Sequence, residues 1–302
     1  MDVSKAKLDV SITNTPTIFQ FSNSEKGLKE LAKVLPKKKQ TLIILEATGG
    51  YEKLAANYLR KKGFAVSVVN AKRVRDFAKA SGKWAKTDRI DAETIMQFGK
   101  AFNPTPQPLG SLDEEKRLQA INRRDQLVKM IILEKQHLEH SCAEMKTSIN
   151  KHILYMKKEL ASVERALEEL FSLDKELRDK RDRLDEIKGV GKVTAMNVLI
   201  HMPELGKLSS REASALAGVA PFNKDSGQSK GKRETGGGRA SVRTALYMAV
   251  LSARKFNPVI KKFYDRLIKK GKLKKVAIVA CIRKLIIIMN AMIRDNSSWK
   301  PI

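Results

Sequence analysis

The stretch that decides the fold is Thr41–Glu46, TLIILE, a continuous apolar run that ends in an acid. A run without polar alternation is typical of a strand that is buried on both faces of a sheet. A second such run, Phe64–Val69 (FAVSVV), follows a predicted helix over Tyr51–Lys62. Strands that alternate with helices in this way predict an α/β layer.

The same pattern extends outward through the first hundred residues. Val3–Ile12 alternates apolar and polar residues and predicts a strand, with which Thr17–Phe21 is expected to form a hairpin. Capping and helical periodicity predict three further helices, at about Ser24–Val34, Lys72–Ala80 and Thr87–Ala101. These elements together predict one α/β domain over residues 1–103.

A change of composition marks the end of this domain. Residues 103–109 (NPTPQPL) carry three alternating prolines, which predict extended chain. Residues 111–188 then contain no glycine or proline and repeat leucines at helical spacing. Because one straight helix of this length would span roughly 115 Å, a reversal near 141–157 is expected. The segment 104–184 is predicted to be a linker and helical coiled coil, and the pattern leaves open whether it dimerises or is a simple spacer.

The last part of the chain, residues 185–302, is predicted to be mainly α-helical. Helices are expected at about Ser210–Ala217, Ala240–Lys255, Pro258–Lys270 and Lys275–Asp295. The most apolar stretch, Val276–Met289, is interrupted by Arg283 and Lys284. It therefore predicts a buried helix and not a membrane span.

The net charge indicates a polyanionic partner. The chain has 60 Lys and Arg against 33 Asp and Glu, a net charge of +27, which is typical of nucleic-acid-binding proteins. Residues 1–103 carry +10, residues 104–188 carry zero and residues 189–302 carry +17. Two basic lobes thus flank a neutral segment. Charge alone does not separate an enzyme from a passive nucleic-acid binder.

The chain ends and the cysteines indicate a cytoplasmic protein. The first residues, MDVSK, lack the apolar core of a signal peptide. Cys142 and Cys281 are lone thiols without metal-ligand spacing and are expected to be inert core residues. The predicted location is the cytoplasm of a prokaryotic cell, in association with the nucleoid.

Four acids form a candidate metal site. Asp2 begins the first predicted strand and Glu46 ends the central one, while Asp88 and Asp91 are three residues apart on one face of a predicted helix. Such hard oxygen ligands suit Mg²⁺ and phosphoryl transfer. Asp88 and Asp91 taken alone are also compatible with an ordinary solvated helix face. Three other acids of this region, Asp9, Glu52 and Glu93, are expected at the surface.

The sequence GVG at Gly189–Gly191 lies between two predicted helices. It is similar to the turn of a helix-hairpin-helix, in which backbone N–H groups hold a DNA phosphate. Lys188 and Lys192 favour phosphate binding, whereas the spacing alone also fits a plain tight turn.

The glycine-rich stretch 222–239 is the second candidate centre. Ser226 and Ser229 are candidate nucleophiles, and nearby cations would stabilise a pentavalent phosphate. A flexible basic loop that only grips the DNA backbone is the alternative. The predicted nucleic-acid-binding residues are Gly189, Gly191, Lys192, Lys230, Lys232, Arg233, Arg239 and Arg243.

Motifs along nearly the whole chain carry a resemblance to a known family. They are MDVSK (1–5), LEATGG (45–50), KTDRIDA (86–92), IKGVGKVTA (187–195), LAGVAPFNKDSGQSKGK (216–232) and GGGRASVRTALY (236–247). In this order they resemble the DEDD-motif insertion-sequence transposases related to the Piv DNA invertase, which include bridge-RNA-guided recombinases. The resemblance implies a RuvC-like domain of RNase-H fold, a coiled coil and a C-terminal transposase domain.

The resemblance also implies roles for individual residues. Asp2, Glu46, Asp88 and Asp91 match the four metal ligands of the family, and Ser226, followed by glycine, matches the catalytic serine. That serine is implied to attack a DNA phosphate and hold the strand covalently, with a structured guide RNA directing a dimer or tetramer. Asp2 directly follows Met1, so a first strand that is short at its beginning is expected.

Two other functions remain as hypotheses at this point. One is a RuvC-like metal-dependent endonuclease that forms no covalent intermediate. The other is a catalytically silent protein that only binds nucleic acid.

Overall fold

The computed structural model describes residues 1–37, 40–83, 88–223, 225–226, 229–231 and 233–300. The side chains of residues 88–89, 225–226 and 229–230 lie outside this description. The chain forms two compact units, Met1–Gly110 and Ser111–Ile302. Residues 103–110, which form neither helix nor strand, end the first unit, and the amide of Gln107 within them donates to the carbonyl of Val66.

The first unit begins with an antiparallel three-stranded sheet. Its strands are β1 (Asp2–Val3), β2 (Lys7–Ser11) and β3 (Ile18–Ser22), in the order β1-β2-β3. The prediction of one strand over residues 3–12 was wrong, because the chain reverses after Val3 and the Ser4 amide donates to the Lys7 carbonyl. β1 is only two residues long, in agreement with the expected short start.

The second sheet is parallel. It pairs β4 (Leu42–Glu46) with β5 (Ala65–Val69), in a register that sets Glu46 opposite Val69. The amino group of Met1 donates a hydrogen bond of 2.8 Å to the carbonyl of Ile44, which brings β1 alongside β4. The predicted buried strands are therefore confirmed.

Helices cover these strands on two sides. They are α1 (Glu25–Val34), α2 (Glu52–Lys61), α3 (Ala71–Ala80) and α4 (Asp88–Phe102), close to the predicted positions. One core contains Leu28 of α1 and Leu59 of α2. A separate core contains Val74 of α3 together with Ile95 and Phe98 of α4. The unit thus has the layered α/β arrangement that the sequence predicts.

In the part of it that the structure describes, the second unit contains helices and two short strand pairs. It begins with α5 (Leu112–His140) and α6 (Ala143–Ser172), which run side by side as a hairpin with apolar contacts that include Ile131 and Met156. The chain reverses at residues 141–142, at the start of the expected interval. The next helix, α7 (Lys175–Asp185), leads into the C-terminal core.

Of the remaining helices, the first begins directly after the GVG sequence, and the others match their predicted bounds to within about two residues. They are α8 (Lys192–His201), α9 (Ser210–Leu216), α10 (Ala240–Phe256), α11 (Pro258–Lys269) and α12 (Lys274–Arg294). Within the described residues, α12 is the single helix long and apolar enough to cross a bilayer, and half of its most apolar window is buried within the protein. Ile282 and Leu285 of α12 lie in the main core, as expected for a buried helix.

The two cysteines differ in burial, so the expectation that both are core residues is confirmed for Cys281 and wrong for Cys142. Cys281 of α12 is buried, and burial raises the pKa of its thiol to about 11. Cys142, at the turn before α6, is exposed.

Candidate active site

Glu46 sits at the end of β4 and opens onto a cavity of about 430 Å³. Along β4, Ile43 and Leu45 belong to the core under α1 and α2, whereas Ile44 belongs to the core under α3 and α4. Successive side chains of a strand point to opposite faces. Glu46 therefore shares the face of Ile44, and Asp91 of α4 lines the same cavity.

Asp2 approaches this region through the chain terminus. Burial lowers the pKa of the Met1 amino group to about 5, and the carboxylates of Asp2 and Glu46 oppose that shift because both lie near it. An oxygen of Asp2 also accepts a hydrogen bond of 2.9 Å from the amide of Val3. Asp2 and Glu46 thus flank one buried amino group.

Asp88 is the first residue of α4, and its side chain lies outside the described residues. Among the side chains that are described, no three Asp, Glu, His or Cys residues come together closely enough to hold a metal ion. The described part of the predicted quartet therefore consists of Asp2 and Glu46, which both lie near the Met1 amino group, and of Glu46 and Asp91, which line one cavity. The four-ligand metal site stays a prediction.

Two acids that were expected at the surface are buried. Glu52 is 9% exposed, and its Oε2 accepts hydrogen bonds of 3.0 Å from the Thr48 amide and 2.9 Å from the Gly50 amide. It thereby fixes the turn that directly follows Glu46. Asp9 is 8% exposed, lies opposite Asp2 in the β1–β2 register and accepts a hydrogen bond from Gln20. The sequence signal for Glu52 is its position two residues after the two glycines of LEATGG.

Helix α3 gives the carboxylate cavity a basic wall. Lys72, Arg75 and Lys79 of this helix line the cavity, together with one acid of the same helix, Asp76. The cavity therefore combines carboxylates, which suit a divalent cation, with cations, which suit a phosphate.

The GVG turn uses its two glycines differently. Gly189 has a φ of +99°, and a Cβ there would stand 2.5 Å from the backbone nitrogen of Ala253 in α10. Gly191 has an ordinary φ of −90° and forms the N-cap of α8, where no described side chain caps the helix. A Cβ on Gly191 would meet nothing within 4 Å. Gly189 is thus required for packing, whereas Gly191 leaves the start of α8 accessible.

The stretch around the candidate serines contains two short strand pairs. β6 (Pro221–Phe222) pairs with β9 (Glu234–Thr235), and β7 (Asp225–Ser226) pairs with β8 (Ser229–Lys230). Ser226 lies opposite Ser229 in this register. The side chains of Ser226, Ser229 and Lys230, and the whole of Lys232, lie outside the described residues.

Three of the predicted nucleic-acid contacts in this part of the chain have described side chains. Arg233 is exposed. Arg239 forms a two-point ion pair with Glu204, at 2.7 Å for each bond. Arg243 donates a hydrogen bond of 2.7 Å to the carbonyl of Gly237. The guanidinium groups of Arg239 and Arg243 thus both have protein partners.

A larger basic surface lies further along the second unit and was not singled out in the sequence. Within residues 255–275, all of them described, nine Lys and Arg side chains are exposed, with Asp265 as the one acid. The nine are Lys255, Lys261, Lys262, Arg266, Lys269, Lys270, Lys272, Lys274 and Lys275. We call this the α11 surface. Its signal in the sequence is the density of lysines around α11.

Comparisons with known proteins indicate the family of this chain. A family model of DEDD-type IS110 transposases matches residues 1–144, and a model of the IS116/IS110/IS902 transposase family matches residues 181–265. The chain belongs to the IS110 family of transposases. It is a DNA transposase or recombinase, and the first match implies an RNase-H-like fold for the N-terminal unit. Members of the DEDD family typically use a divalent metal.

Two individual relatives extend over both units of the transposase, and a third matches a shorter stretch. The pilin gene-inverting protein of Moraxella bovis is 29% identical over 306 aligned residues, which cover 98% of this chain and 95% of that protein. The pilin gene-inverting protein of Moraxella lacunata is also 29% identical over the same shares. An uncharacterised 43.6 kDa protein of insertion element IS110 from Streptomyces coelicolor is 27% identical over 119 residues, 39% of this chain and 29% of that protein.

Proposed function

We propose that this transposase cuts and rejoins DNA through a covalent bond to Ser226, with Mg²⁺ held by Asp2, Glu46, Asp88 and Asp91. The observation that carries the proposal is the cavity at the end of β4, where Glu46 and Asp91 share the lining with three basic side chains and one acid of α3. The relatives named as gene-inverting proteins support it, since inversion of a gene requires strands to be cut and rejoined.

The metal part of the proposal rests on the donor set. Carboxylates from β1, β4 and α4 are the hard oxygen ligands that Mg²⁺ prefers. A bound Mg²⁺ would stabilise charge on the phosphate oxygens during phosphoryl transfer. Glu52 would keep Glu46 in place by holding the turn after β4, and Lys72 and Lys79 would attract the DNA backbone to the cavity.

The serine part of the proposal is a phosphoryl transfer in two steps. The hydroxyl oxygen of Ser226 bonds to a DNA phosphorus, and the hydroxyl proton is lost. The bond from that phosphorus to one deoxyribose oxygen breaks, and this oxygen takes up a proton. Rejoining reverses these steps with the hydroxyl of another strand end. The exposed Arg233 and the neighbouring Lys230 and Lys232 would stabilise charge on the phosphate.

We assign DNA contact to the α11 surface, to the start of α8 at Gly191 and Lys192, and to Arg233. Lys192 is half exposed, and its Nζ lies 3.8 Å from a Glu168 oxygen, which leaves it at the surface beside the helix start. A structured guide RNA is proposed as a second partner. The aromatic content is 6%, so recognition of RNA through backbone and shape fits better than base stacking. Assembly as a homo-oligomer, dimer or tetramer, completes the proposal.

Covalent adducts test the nucleophile. The full-length protein is incubated with Mg²⁺, duplex DNA from the regions that flank its gene, and RNA transcribed from those regions. We expect a protease-sensitive shifted DNA band on denaturing gels, lost in Ser226→Ala and retained in the matched Ser229→Ala, with DNA binding unchanged in both. Adducts that persist in Ser226→Ala contradict the assignment. Cleavage by the native protein without any adduct supports a RuvC-like endonuclease instead.

Glu46→Gln tests the metal site. We expect the variant to lose strand cleavage and to bind Mg²⁺ more weakly in calorimetric titration, because one ligand loses its charge. Glu30→Gln on the exposed side of α1 is the matched control and should behave as the native protein. A Glu46→Gln protein that still recombines DNA would refute the metal-site proposal.

A further inference from the structure

The stretch that carries Ser226 is closed at its base by glycine contacts. We call residues 221–238 the serine segment. Gly218 and Gly238 have φ values of +68° and +61°, and a Cβ on Gly238 would stand 2.3 Å from the backbone nitrogen of Gly218. Gly238, at the end of the segment, and Gly218, just before its start, therefore meet backbone to backbone, which only glycine permits.

Arg243 of α10 reaches across this junction. Its Nη1 donates a hydrogen bond of 2.7 Å to the carbonyl of Gly237, and a Cβ on Gly218 would stand 2.1 Å from the same nitrogen. The guanidinium thus fills the space beside Gly218 and holds the end of the serine segment. The Arg243 guanidinium is therefore already hydrogen-bonded to a protein carbonyl.

Arg239 holds the same junction from the other side. Its amide donates a hydrogen bond of 2.7 Å to the Leu216 carbonyl, and its guanidinium pairs with both oxygens of Glu204. The hydrogen bond from Arg239 keeps the pKa of Glu204 below its usual range, so the carboxylate is charged at neutral pH. Two parallel charged bonds fix the direction of a side chain better than a single one.

Glu204 is itself fixed to the core. It belongs to the turn between α8 and α9, and the buried Asn290 of α12 grips that turn. The Asn290 oxygen accepts a hydrogen bond of 2.8 Å from the Gly206 amide, and its nitrogen donates one of 2.7 Å to the Leu208 carbonyl. A continuous set of polar contacts therefore runs from the core of the unit to the base of the serine segment.

We infer that Glu204, Arg239 and Arg243 form a clamp that positions the serine segment for reaction with DNA. All three are positioning residues, and the prediction that Arg239 and Arg243 bind nucleic acid is replaced by this role. The described side chains of residues 221–238 are exposed or half-exposed, so none of these side chains anchors the segment in an apolar core. The inference rests on the proposed function of Ser226.

Removal of the Glu204 carboxylate separates the clamp from direct DNA contact. In Glu204→Ala we expect adduct formation at saturating DNA to slow by roughly 10- to 100-fold, the scale for a reactive group displaced by about 1 Å, with DNA affinity unchanged. If Arg239 instead bound phosphate, removal of its partner would leave adduct formation unchanged and tighten DNA binding. Unchanged adduct formation together with tighter DNA binding in Glu204→Ala would overturn the clamp.

Two further variants guard against a simple folding defect. The charge-reversed pair Glu204→Arg with Arg239→Glu should recover much of the lost rate, since the ion pair is rebuilt in the opposite sense. The matched control is Glu176→Ala, which removes an exposed ion pair with Lys180 on α7 and should react at the native rate. Failure of the reversed pair to exceed either single variant would count against the clamp.

Limited trypsin digestion of the protein without DNA gives a readout independent of Ser226. The clamp predicts faster cleavage after the exposed Arg233 in Glu204→Ala and native cleavage in the charge-reversed pair. If adducts persist in Ser226→Ala while trypsin gives this pattern, the nucleophile assignment fails and the clamp stands. If Glu204→Ala is digested and forms adducts as the native protein does, the clamp itself is refuted.

Discussion

Substitution by alanine should chiefly lower the stability of the protein at Gly189 and chiefly lower its affinity for DNA at Gly191. Gly189→Ala forces a residue with a side chain to adopt a φ of +99°, at a cost of about 1–2 kcal/mol. Its Cβ would also stand 2.5 Å from the nitrogen and 2.6 Å from the Cα of Ala253, which is fully buried in α10. Such overpacking adds about 1–3 kcal/mol, so the free energy of unfolding should fall by about 2–5 kcal/mol.

Gly191→Ala adds the same methyl group without this penalty. The φ of −90° is ordinary and a Cβ there meets nothing within 4 Å. The free energy of unfolding should therefore fall by only about 0.5–1 kcal/mol, because alanine is a poorer N-cap than glycine. DNA affinity should nevertheless fall by about tenfold, because the methyl group separates the start of α8 from the phosphate and weakens charge-assisted hydrogen bonds.

Thermal unfolding and fluorescence anisotropy with duplex DNA measure both effects. For a unit of the size of residues 111–302, a loss of about 3 kcal/mol lowers the Tm by roughly 6–12 °C. We expect this shift for Gly189→Ala and a shift of no more than about 4 °C for Gly191→Ala. A native Tm for Gly189→Ala would refute the packing argument. Native DNA affinity for Gly191→Ala would refute the proposal that this turn holds a phosphate.

Three other predictions concern separate parts of the transposase. Glu52→Ala should lower the urea-measured free energy of unfolding by about 1–3 kcal/mol, since two partly buried amides lose their acceptor; a native value would contradict that account. Replacement of Lys269 and Lys270 by alanine should reduce the slope of log K against log salt for binding to duplex DNA by about 1.8, which is 0.9 for each lost phosphate contact. An unchanged slope would show that these lysines do not contact DNA. At pH 8 the exposed Cys142 should react quickly with dithionitrobenzoate. Cys281 should react only after unfolding, because burial raises the pKa of its thiol to about 11 and little thiolate is present. Fast reaction of both thiols would contradict the burial of Cys281.

The sequence predicted most helices and strands because their periodicity is local. Apolar spacing and capping residues placed α10 and α11 within about two residues of their observed ends. The strand predicted over residues 3–12 was wrong for an equally physical reason. Its alternation is interrupted by two consecutive polar residues, Ser4 and Lys5, and pairing of β1 with β2, a contact between strands, decides that the chain turns there.

The candidate site was predictable in part. The acid at the end of TLIILE stood out because an acid that closes a buried strand is costly unless it has a role. The burial of Asp9 and Glu52 was missed, since it depends on the strand register and on the turn after β4. The resemblance in sequence, and not the spacing of the acids, linked the distant serine segment to them.

The sequence by itself determined the α/β character of the first unit, the basic charge of both lobes and the chemical types available for reaction. Those properties follow from residue identity and short-range periodicity. Only the tertiary structure decided that Gly189 meets Ala253 while Gly191 stays open, and that Arg239 pairs with Glu204. These outcomes depend on which distant residues the fold brings together, and residue type and spacing along the chain do not specify such neighbours.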